Sequence, residues 1–389
     1  MAVKETKESA ALSLYFVLLC EKCRYMGHIR FRGYAKCLCR LGLCACVLVY
    51  FLEILESGKE RRGWGKRGEK ERMKFSVAIP AYKSRYLKEA LESCLSQTYD
   101  DYEVVVVDDA SPENLQKTVD CLNDSRIHYY RNEKNCGAID VVDNWNICLE
   151  HCSGEYVICM GDDDKLTPNC LSDYAKLIEK YPQLAVYHAW TEIIDENSKF
   201  KDMQQPRPEY ESGLSLVWNR WNGRNKQYIG DFCFNRAELE KIGGFVKLPL
   251  AWFSDDITVA MMSIQKGIAN TQTVCFQYRE NSLTLTNSGR TNIKLAATKL
   301  AKQWYDVFFS DLERSKDALP AIDQKYLTLL RKQLPAYYKE RQAKWLRQDL
   351  NNHLLHSFYW CIHRKKYDLT LKMVFSGLLS AIKKKMRRT

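Results

Sequence analysis

EYVICMGDDD, residues 155–164, joins an unbroken apolar run to three consecutive aspartates. The run is short and carries aromatic and β-branched side chains, which is typical of a strand buried on both faces of a parallel sheet. Gly161 and the three carboxylates are turn-forming residues that end such a strand. The segment therefore predicts a strand of an α/β domain whose carboxyl end carries Asp162, Asp163 and Asp164.

The same alternation of apolar strands and amphipathic helices precedes this segment. Strands are predicted at residues 75–80 (FSVAIP), 103–107 (EVVVV) and 126–130, and helices at residues 85–97 and 143–151. Strands that alternate with helices form a mostly parallel, doubly wound sheet. Ligands of such sheets bind beyond the carboxyl ends of the strands, which is where the aspartates lie.

The three adjacent aspartates repel one another and need a compensating cation. Mg²⁺ or Mn²⁺ is the natural choice, because both are hard cations that bind carboxylates and are usually shared with substrate phosphates. A solvated polar turn with Lys165 nearby is the alternative that the local sequence leaves open. The apolar strand in front of the aspartates favours the metal site.

Two aspartate pairs are further candidates for chemistry. Asp108 and Asp109 end the second strand, where they could accept hydrogen bonds from a base or ribose, or cap the next helix. Asp255 and Asp256 precede an apolar pattern with helical spacing. Their negative charges could simply stabilise the amino end of that helix by interacting with its dipole. Alternatively, one of them could be a general base whose pKa is raised by the neighbouring aromatic residues.

Taken in order, these motifs resemble those of the family 2 glycosyltransferases, an inverting group with a GT-A fold. The resemblance covers residues 73–290. It rests on the following motifs: residues 75–82, 93–99, 103–111, Asn135 with Gly137, Asn144, Gly154, and residues 161–168, 234–245, 252–256 and 278–282. Gly161 stands where the commoner family pattern has Asp, so the aspartate triplet can be aligned in two registers.

The resemblance implies a metal-dependent transfer of a sugar from a nucleotide diphosphate, with a UDP-sugar expected first, to a hydroxyl of a glycan or lipid-linked glycan in bacterial surface polysaccharide synthesis. It implies that two of Asp162, Asp163 and Asp164 hold Mn²⁺ or Mg²⁺. It also implies that Asp256, or its neighbour Asp255, removes the acceptor proton. The implied nucleotide-sugar-binding residues are Pro80, Ala81, Tyr82, Asp108, Asp109, Asn135, Gly137, Asp162 and Asp163.

Two other functions compete with this interpretation. A sugar nucleotidyltransferase would need a glycine-rich basic loop after the first strand, whereas residues 80–84 read PAYKS. A non-catalytic nucleotide-sugar-binding homologue gains support from the missing aspartate at Gly161. The presence of Asp164 and Asp256 favours a catalyst instead.

Composition narrows the choice of partners. The chain has 389 residues and a formal net charge of +11, so an acidic partner such as a nucleotide diphosphate or an anionic lipid headgroup is expected. No nucleic-acid-binding signature is present, so no nucleic acid partner is predicted. Of the 16 cysteines, those scattered through the α/β region are interpreted as reduced thiols of a large cytosolic domain: Cys121, Cys136, Cys148, Cys152, Cys159, Cys170, Cys233 and Cys275. The pairs Cys20/Cys23, Cys37/Cys39 and Cys44/Cys46 have spacings that could hold zinc, but no further His or Cys pair lies at a standard distance to complete a site.

The two ends of the chain differ from its middle. Residues 1–72 hold two apolar runs, each shorter than the roughly 20 residues that span a bilayer. They are expected to form a poorly structured extension, a short membrane anchor, or a non-native start before Met73. Residues 291–389 are predicted to be helical and basic. One apolar stripe there comprises Leu371, Val374, Phe375, Leu378 and Ile382.

This amphipathic stripe leaves two interpretations open. A helix with a basic end could lie on anionic lipid at the cytoplasmic, inner face of the cell membrane. It could equally pack on the catalytic domain and leave its tail in solvent.

Overall fold

The protein is represented by a computed structural model that describes residues 73–281 and 290–387. The predictions made for residues 1–72 lie outside these ranges. No helix within the described ranges is long and apolar enough to cross a membrane.

Within the described ranges, ten strands form one sheet. Their bounds are β1 Phe75–Ala81, β2 Tyr102–Asp108, β3 Ile127–Arg131, β4 Tyr156–Cys159, β5 Lys165–Leu166, β6 Val186–Ile194, β7 Phe200–Met203, β8 Tyr210–Glu211, β9 Phe232–Asn235 and β10 Ile268–Arg279. The order across the sheet is β3-β2-β1-β4-β9-β6-β10-β5, with β7 beside β6 and β8 beside β10. Strands β3, β2, β1 and β4 are parallel, and β9 runs antiparallel to both β4 and β6. The predicted mostly parallel α/β sheet is therefore confirmed.

Eleven α-helices accompany these strands in the described part of the chain. Their bounds are α1 Leu87–Leu95, α2 Leu115–Leu122, α3 Val141–His151, α4 Cys170–Lys180, α5 Gly213–Trp221, α6 Arg236–Lys241, α7 Ser254–Ser263, α8 Thr291–Arg314, α9 Ala321–Asn352, α10 His356–His363 and α11 Leu371–Met386. Helices α1, α2 and α4 cover one face of the sheet, and α3, α5 and α7 cover the other. This double cover explains why the central strands read as continuous apolar runs.

Alternate residues of β1 serve the two faces. Val77 and Ile79 belong to the core beneath α1 and α4, whereas Ala78 packs with Val105 beneath α3. Buried cysteines also line this core: Cys94, Cys148, Cys159, Cys170 and Cys233. They are free thiols, and burial raises the pKa of each.

A polar cluster joins the amino ends of β1, β2 and β4. Glu103 accepts hydrogen bonds from the Ser76 hydroxyl at 2.6 Å and from the Ser153 backbone N–H at 2.6 Å. Gly154 lies so close to β1 that a Cβ there would come within 2.7 Å of the backbone of Phe75 and Ser76. A residue with a side chain would therefore force the two strands apart.

The helices that follow Arg290 pack on α5 and α7. Trp221 at the end of α5 stacks on Tyr337 of α9, with ring centroids 4.5 Å apart and an interplanar angle of 9°. Tyr305 of α8 meets the same indole edge-on at 5.0 Å.

Helix α11 differs from the single stripe that the sequence predicts. Val374 is fully buried in a cluster with Leu346 and Leu350 of α9, whereas Phe375 and Ile382 of the predicted stripe are exposed. The helix therefore has a packed apolar face and a second, exposed apolar row. The packed face includes Gly377, which lies close to Leu350 of α9 and which a pattern of large apolar residues does not reveal.

Candidate active site

The sheet brings two of the predicted acidic motifs to one edge. Ala81, the last residue of β1, pairs with Asp108, the last residue of β2, and Ala78 pairs with Cys159 at the end of β4. The carboxyl ends of these parallel strands therefore meet, as the sequence predicts. Asp108–Asp109 and the aspartate triplet lie in the turns that follow.

Asp162 ties the end of β4 to the loop after β1. Its Oδ2 accepts hydrogen bonds from the backbone N–H of Tyr82 at 2.7 Å and of Lys83 at 2.8 Å. Burial, together with the negative charge of Asp163, raises the pKa of Asp162 to about 6. The carboxylate of Asp162 thus shapes the loop that carries Tyr82.

Asp163 and Asp164 are held by the end of β10. The Asn281 amide donates to Asp163 Oδ2 at 2.8 Å, and the Arg279 backbone N–H donates to Asp164 Oδ1 at 2.9 Å. Burial raises the pKa of Asp164 well above its ordinary value, and the charge of Asp163 adds to the effect. The structure thus concentrates negative charge at this turn, where a cation would relieve it.

The donor set of this turn fits a hard divalent cation. Carboxylate oxygens are the ligands that Mg²⁺ and Mn²⁺ prefer. Within the described ranges, no group of three or more His, Cys, Asp or Glu residues is arranged to hold a metal ion by itself. A cation held by Asp163 or Asp164 would need further oxygen ligands, such as substrate phosphates.

Arg279 is a contributor that sequence reasoning did not assign to the site. Its side chain is fully buried, and its Nε donates to the backbone carbonyl of Asp163 at 2.7 Å. The same guanidinium forms an ion pair with Glu89 of α1 at 3.0 Å. The Tyr-Arg motif at residues 278–279 is the sequence feature that could have indicated this role. An arginine that becomes buried there needs hydrogen-bond acceptors for its five N–H donors.

The Asp108 side chain is buried and hydrogen-bonded within the protein. Its carboxylate accepts from the Ser111 backbone N–H at 2.7 Å, the Tyr129 hydroxyl at 2.5 Å and the Arg131 guanidinium. Asp108 thereby connects the end of β2 to the following turn and to β3.

Asp109 and the Asn135–Gly137 motif form the adjoining loop. Asp109 Oδ1 accepts from the Asn132 amide and from the Cys136 backbone N–H, each at 2.9 Å. The Asn135 amide donates to the Asp109 carbonyl at 2.8 Å. Gly137 has φ +79°, a conformation that favours glycine.

The predicted β1 residues differ in exposure. Ala81 is buried and Pro80 half-buried within the sheet, whereas the side chain of Tyr82 is exposed at the strand end. Of these three, Tyr82 is therefore the side chain that a ligand at this edge could reach.

Asp256 is fixed in the first turn of α7. Its Oδ1 accepts from Arg220 Nε at 2.7 Å and from Gln227 Nε2 at 2.7 Å. Asp255 is half-buried, and burial together with the charge of Asp256 raises its pKa to about 7. Arg220 and Gln227 were missed by sequence reasoning, because nothing in their local pattern shows that they face a carboxylate far along the chain.

A chain of contacts links the Asp256 region to the aspartate triplet. Gln227 contacts Asp256, and the next residue, Tyr228, stacks on Tyr278 with ring centroids 3.6 Å apart. Arg279 follows Tyr278 and holds Asp164. The segments around Tyr228 and Tyr278 therefore lie between the two acidic regions.

Residues 76–243 match the family model described as Glycosyl transferase family 2. These residues are therefore similar to the family 2 glycosyltransferases, and the match covers less than half of the chain. Its mixed sheet with helices on both faces is the GT-A architecture that the resemblance implies. Asp255, Asp256 and Arg279 follow the matched range along the chain.

Two curated bacterial proteins are similar to part of this chain. A "Putative colanic acid biosynthesis glycosyl transferase WcaA" of Escherichia coli K12 is 39% identical over 119 residues, which are 30% of this chain and 40% of the relative. The glycosyltransferase GlyG of Streptococcus pneumoniae serotype 4 is 29% identical over 169 residues, 42% of this chain and 52% of the relative. The chain thus spans about half, or less, of these curated relatives. The solved structure of S. aureus TarS 1–349 in complex with UDP-GlcNAc superposes with a TM-score of 0.49 at 16% identity, over 79% of this chain and 81% of that one.

Proposed function

We propose that this protein is a metal-dependent, inverting glycosyltransferase that moves a sugar from a nucleotide diphosphate, with a UDP-sugar expected first, to a hydroxyl of a glycan or lipid-linked glycan. The aspartate triplet at the end of β4 carries the proposal. Three neighbouring carboxylates are held there by Tyr82, Arg279 and Asn281, and two of them have a raised pKa.

The donor nucleotide would lie at the carboxyl edge of β1 and β2. The exposed ring of Tyr82 would pack on the base, and the loop from Asp109 to Gly137 would border the ribose. Asp163 and Asp164 would hold Mn²⁺ or Mg²⁺, which neutralises charge on the departing diphosphate. Asp162 would position Tyr82 through the loop backbone.

The acceptor hydroxyl would lose its proton to Asp256 as it attacks the anomeric carbon. Arg220 and Gln227 hold that carboxylate in one orientation, which a general base requires. Asp255 is the alternative base, since its pKa of about 7 suits proton transfer near neutral pH. A single displacement of this kind inverts the anomeric configuration without an enzyme nucleophile.

The biological setting is proposed from a relative and from the chain's charge. The name of the E. coli relative places that protein in colanic acid biosynthesis, which supports a role in bacterial surface polysaccharide synthesis. A lipid-linked acceptor would place this enzyme at the cytoplasmic face of the membrane, with peripheral contact through the basic C-terminal helix.

Donor hydrolysis tests the proposal. UDP-, GDP- and dTDP-sugars would each be incubated with the protein and Mn²⁺, Mg²⁺ or EDTA. Metal-dependent turnover of one nucleotide class that Asp256→Asn abolishes would support the proposal, while Asp202→Asn, an exposed aspartate on β7, serves as the matched control. Tight donor binding without turnover by the wild type would favour the non-catalytic homologue. Folded protein that binds no nucleotide sugar with any metal would contradict both.

A further inference from the structure

Exposed apolar side chains are concentrated at the C-terminal end of the described chain. Nine of its 17 exposed large hydrophobic residues lie within residues 355–386, which are about a tenth of the described residues. Scattered exposed apolar residues are normal on a protein surface, but a concentrated set marks an interaction site.

The exposed residues form one row on each of two contacting helices. Helices α10 and α11 pack against each other. The α10 row comprises Leu355, Phe358, Tyr359 and Ile362, and the α11 row comprises Leu371, Phe375, Leu379, Ile382 and Met386. Intervals of three and four residues place each row on one side of its helix.

Each helix is anchored to the protein by its other side. Trp360 of α10 and Val374 of α11 are buried in one cluster with Leu350 of α9. Neither row is therefore needed to hold its helix in place, and both rows stay on the surface while the helices remain packed.

Positive charge accompanies the two rows. Residues 354–387 contain eight lysines and arginines and a single acidic residue, Asp368, which forms an ion pair with Lys299 at 3.0 Å. Lys372 and Lys383 lie beside the α11 row along the helix, and Lys383, Lys384 and Arg387 line a depression at its end. Apolar side chains bordered by cations match an anionic lipid surface, in which acyl chains lie beneath negative headgroups.

We infer that the α10 and α11 rows together form a docking surface for an anionic lipid bilayer, with both helices lying in its interface. This inference deepens the proposed function and rests on it for its biological meaning, because a lipid-linked acceptor would be presented at such a surface. The bilayer contact thereby involves two helices, and on α11 it uses the row of Phe375 and Leu379 and leaves the buried Val374 side on the protein.

Vesicle co-sedimentation of the full chain tests the inference. Vesicles of phosphatidylcholine with phosphatidylglycerol would be compared with vesicles of phosphatidylcholine alone. We expect the protein to pellet with the anionic vesicles, and pelleting to weaken as salt is added. A protein that stays in the supernatant with both kinds of vesicle at low salt would overturn the inference.

Paired substitutions assign the contact to each row. Phe358→Ser with Ile362→Ser removes side chains that are 70% and 74% exposed, and Phe375→Ser with Leu379→Ser removes side chains that are 54% and 59% exposed. Each pair should weaken vesicle binding about tenfold or more. The matched control is Ile322→Ser with Leu329→Ser on α9, whose side chains are 56% and 42% exposed, and it should leave binding within about twofold of wild type.

Charge substitutions test the contribution of the lysines beside the α11 row. Lys372→Gln with Lys383→Gln should weaken binding to the anionic vesicles by about fivefold for each lysine, whereas Lys325→Gln with Lys332→Gln on α9 should leave it unchanged. If the row substitutions leave vesicle binding intact, or instead convert a dimer measured by light scattering to a monomer, the surface binds something other than lipid and the inference is wrong.

The two proposals fail separately. Donor hydrolysis needs no vesicle, so it would be measured on the same preparations. Vesicle binding without hydrolysis by the wild type would remove the proposed function and keep the lipid surface, whereas hydrolysis without vesicle binding would do the reverse.

Discussion

Each carboxylate of the proposed site is held by a donor from a different part of the chain. Asp162 accepts from the loop after β1, Asp164 accepts from the backbone at Arg279, and Asp256 accepts from Arg220 on α5. Substitution of one carboxylate should therefore leave the other two in place, because each accepts its hydrogen bonds directly from different residues.

Asp164→Asn should abolish the metal response of the enzyme. The substitution keeps the side-chain shape but removes the charge that a divalent cation needs, so donor hydrolysis should fall by about a hundredfold or more at any Mn²⁺ concentration. Steady-state rates over a Mn²⁺ titration measure this effect. A variant with unchanged rate and unchanged metal dependence would remove Asp164 from the proposed metal site.

The pH dependence of turnover should report the Asp255–Asp256 pair. A general base must be unprotonated, so kcat/KM should rise as the pH increases through about 7, the pKa to which burial and the charge of Asp256 raise Asp255. Asp255→Asn removes the group that titrates near pH 7, so the rise should disappear from this pH range. Arg220→Gln removes the neighbouring cation and should move the rise to higher pH.

Arg224→Gln is the control for the arginine substitution. Arg224 is exposed on the turn just after α5 and contacts Asn219 rather than an acidic residue. Its pH profile should match that of the wild type. A rise at the same pH in the wild type and in Asp255→Asn would show that this pair does not control the rate.

At the level of secondary structure, local patterns were sufficient for the strands and helices that build the sheet edge. β1 reads as an apolar run that ends near a proline, and β4 as an apolar run that is followed by Gly161 and the aspartates. α3 shows helical spacing. The sequence could not show that β9 inserts antiparallel between β4 and β6, because that pairing depends on residues far apart in the chain.

The same limit applies to the site. The aspartates could be predicted because they follow strand ends directly. Arg220 could not, since it lies on a helix whose apolar pattern explains only its packed side. Periodicity also placed Val374 and Phe375 in one stripe, although the neighbouring α9 covers Val374 alone.

Gly154→Ala should destabilise the junction of β1 and β4. The new Cβ would come within 2.7 Å of backbone atoms that a rotamer change cannot move, so the free energy of unfolding should fall by about 1–3 kcal/mol. Urea unfolding measures the loss. Gly377→Ala on α11 is the control, because its Cβ would meet side chains and no backbone: the end of Leu350 at 3.0 Å and Leu346 at 3.6 Å. Alanine also favours a helix.

For the molecule as a whole, the helices after Arg290 support the proposed base. Tyr305 of α8 donates from its hydroxyl to the Asp256 carbonyl at 3.4 Å and also contacts Trp221. Trp221 is adjacent to Arg220, which holds the Asp256 carboxylate. The C-terminal helices therefore contact Asp256 in two ways: directly at its backbone carbonyl through Tyr305, and indirectly at its carboxylate through Trp221 and Arg220.

Trp221→Ala should lower both stability and turnover. The indole is buried among Tyr305, Phe309, Tyr337 and Tyr338, so its removal should cost about 3–5 kcal/mol of unfolding free energy. Loss of support for Arg220 should also reduce kcat in protein that remains folded. Trp218→Ala, a half-buried tryptophan on the same helix, should cost less and leave kcat unchanged. Equal effects of the two substitutions on kcat would contradict this.

The buried thiols of the core can be used to measure local opening of the fold. Only a thiolate reacts readily with an alkylating reagent, and Cys148 on α3, Cys159 on β4 and Cys233 on β9 are enclosed and have a raised pKa. Each can react only while its own element is open to solvent. Timed alkylation followed by peptide mass spectrometry would therefore rank these elements by how often they open, with the exposed Cys121 as the fully accessible reference.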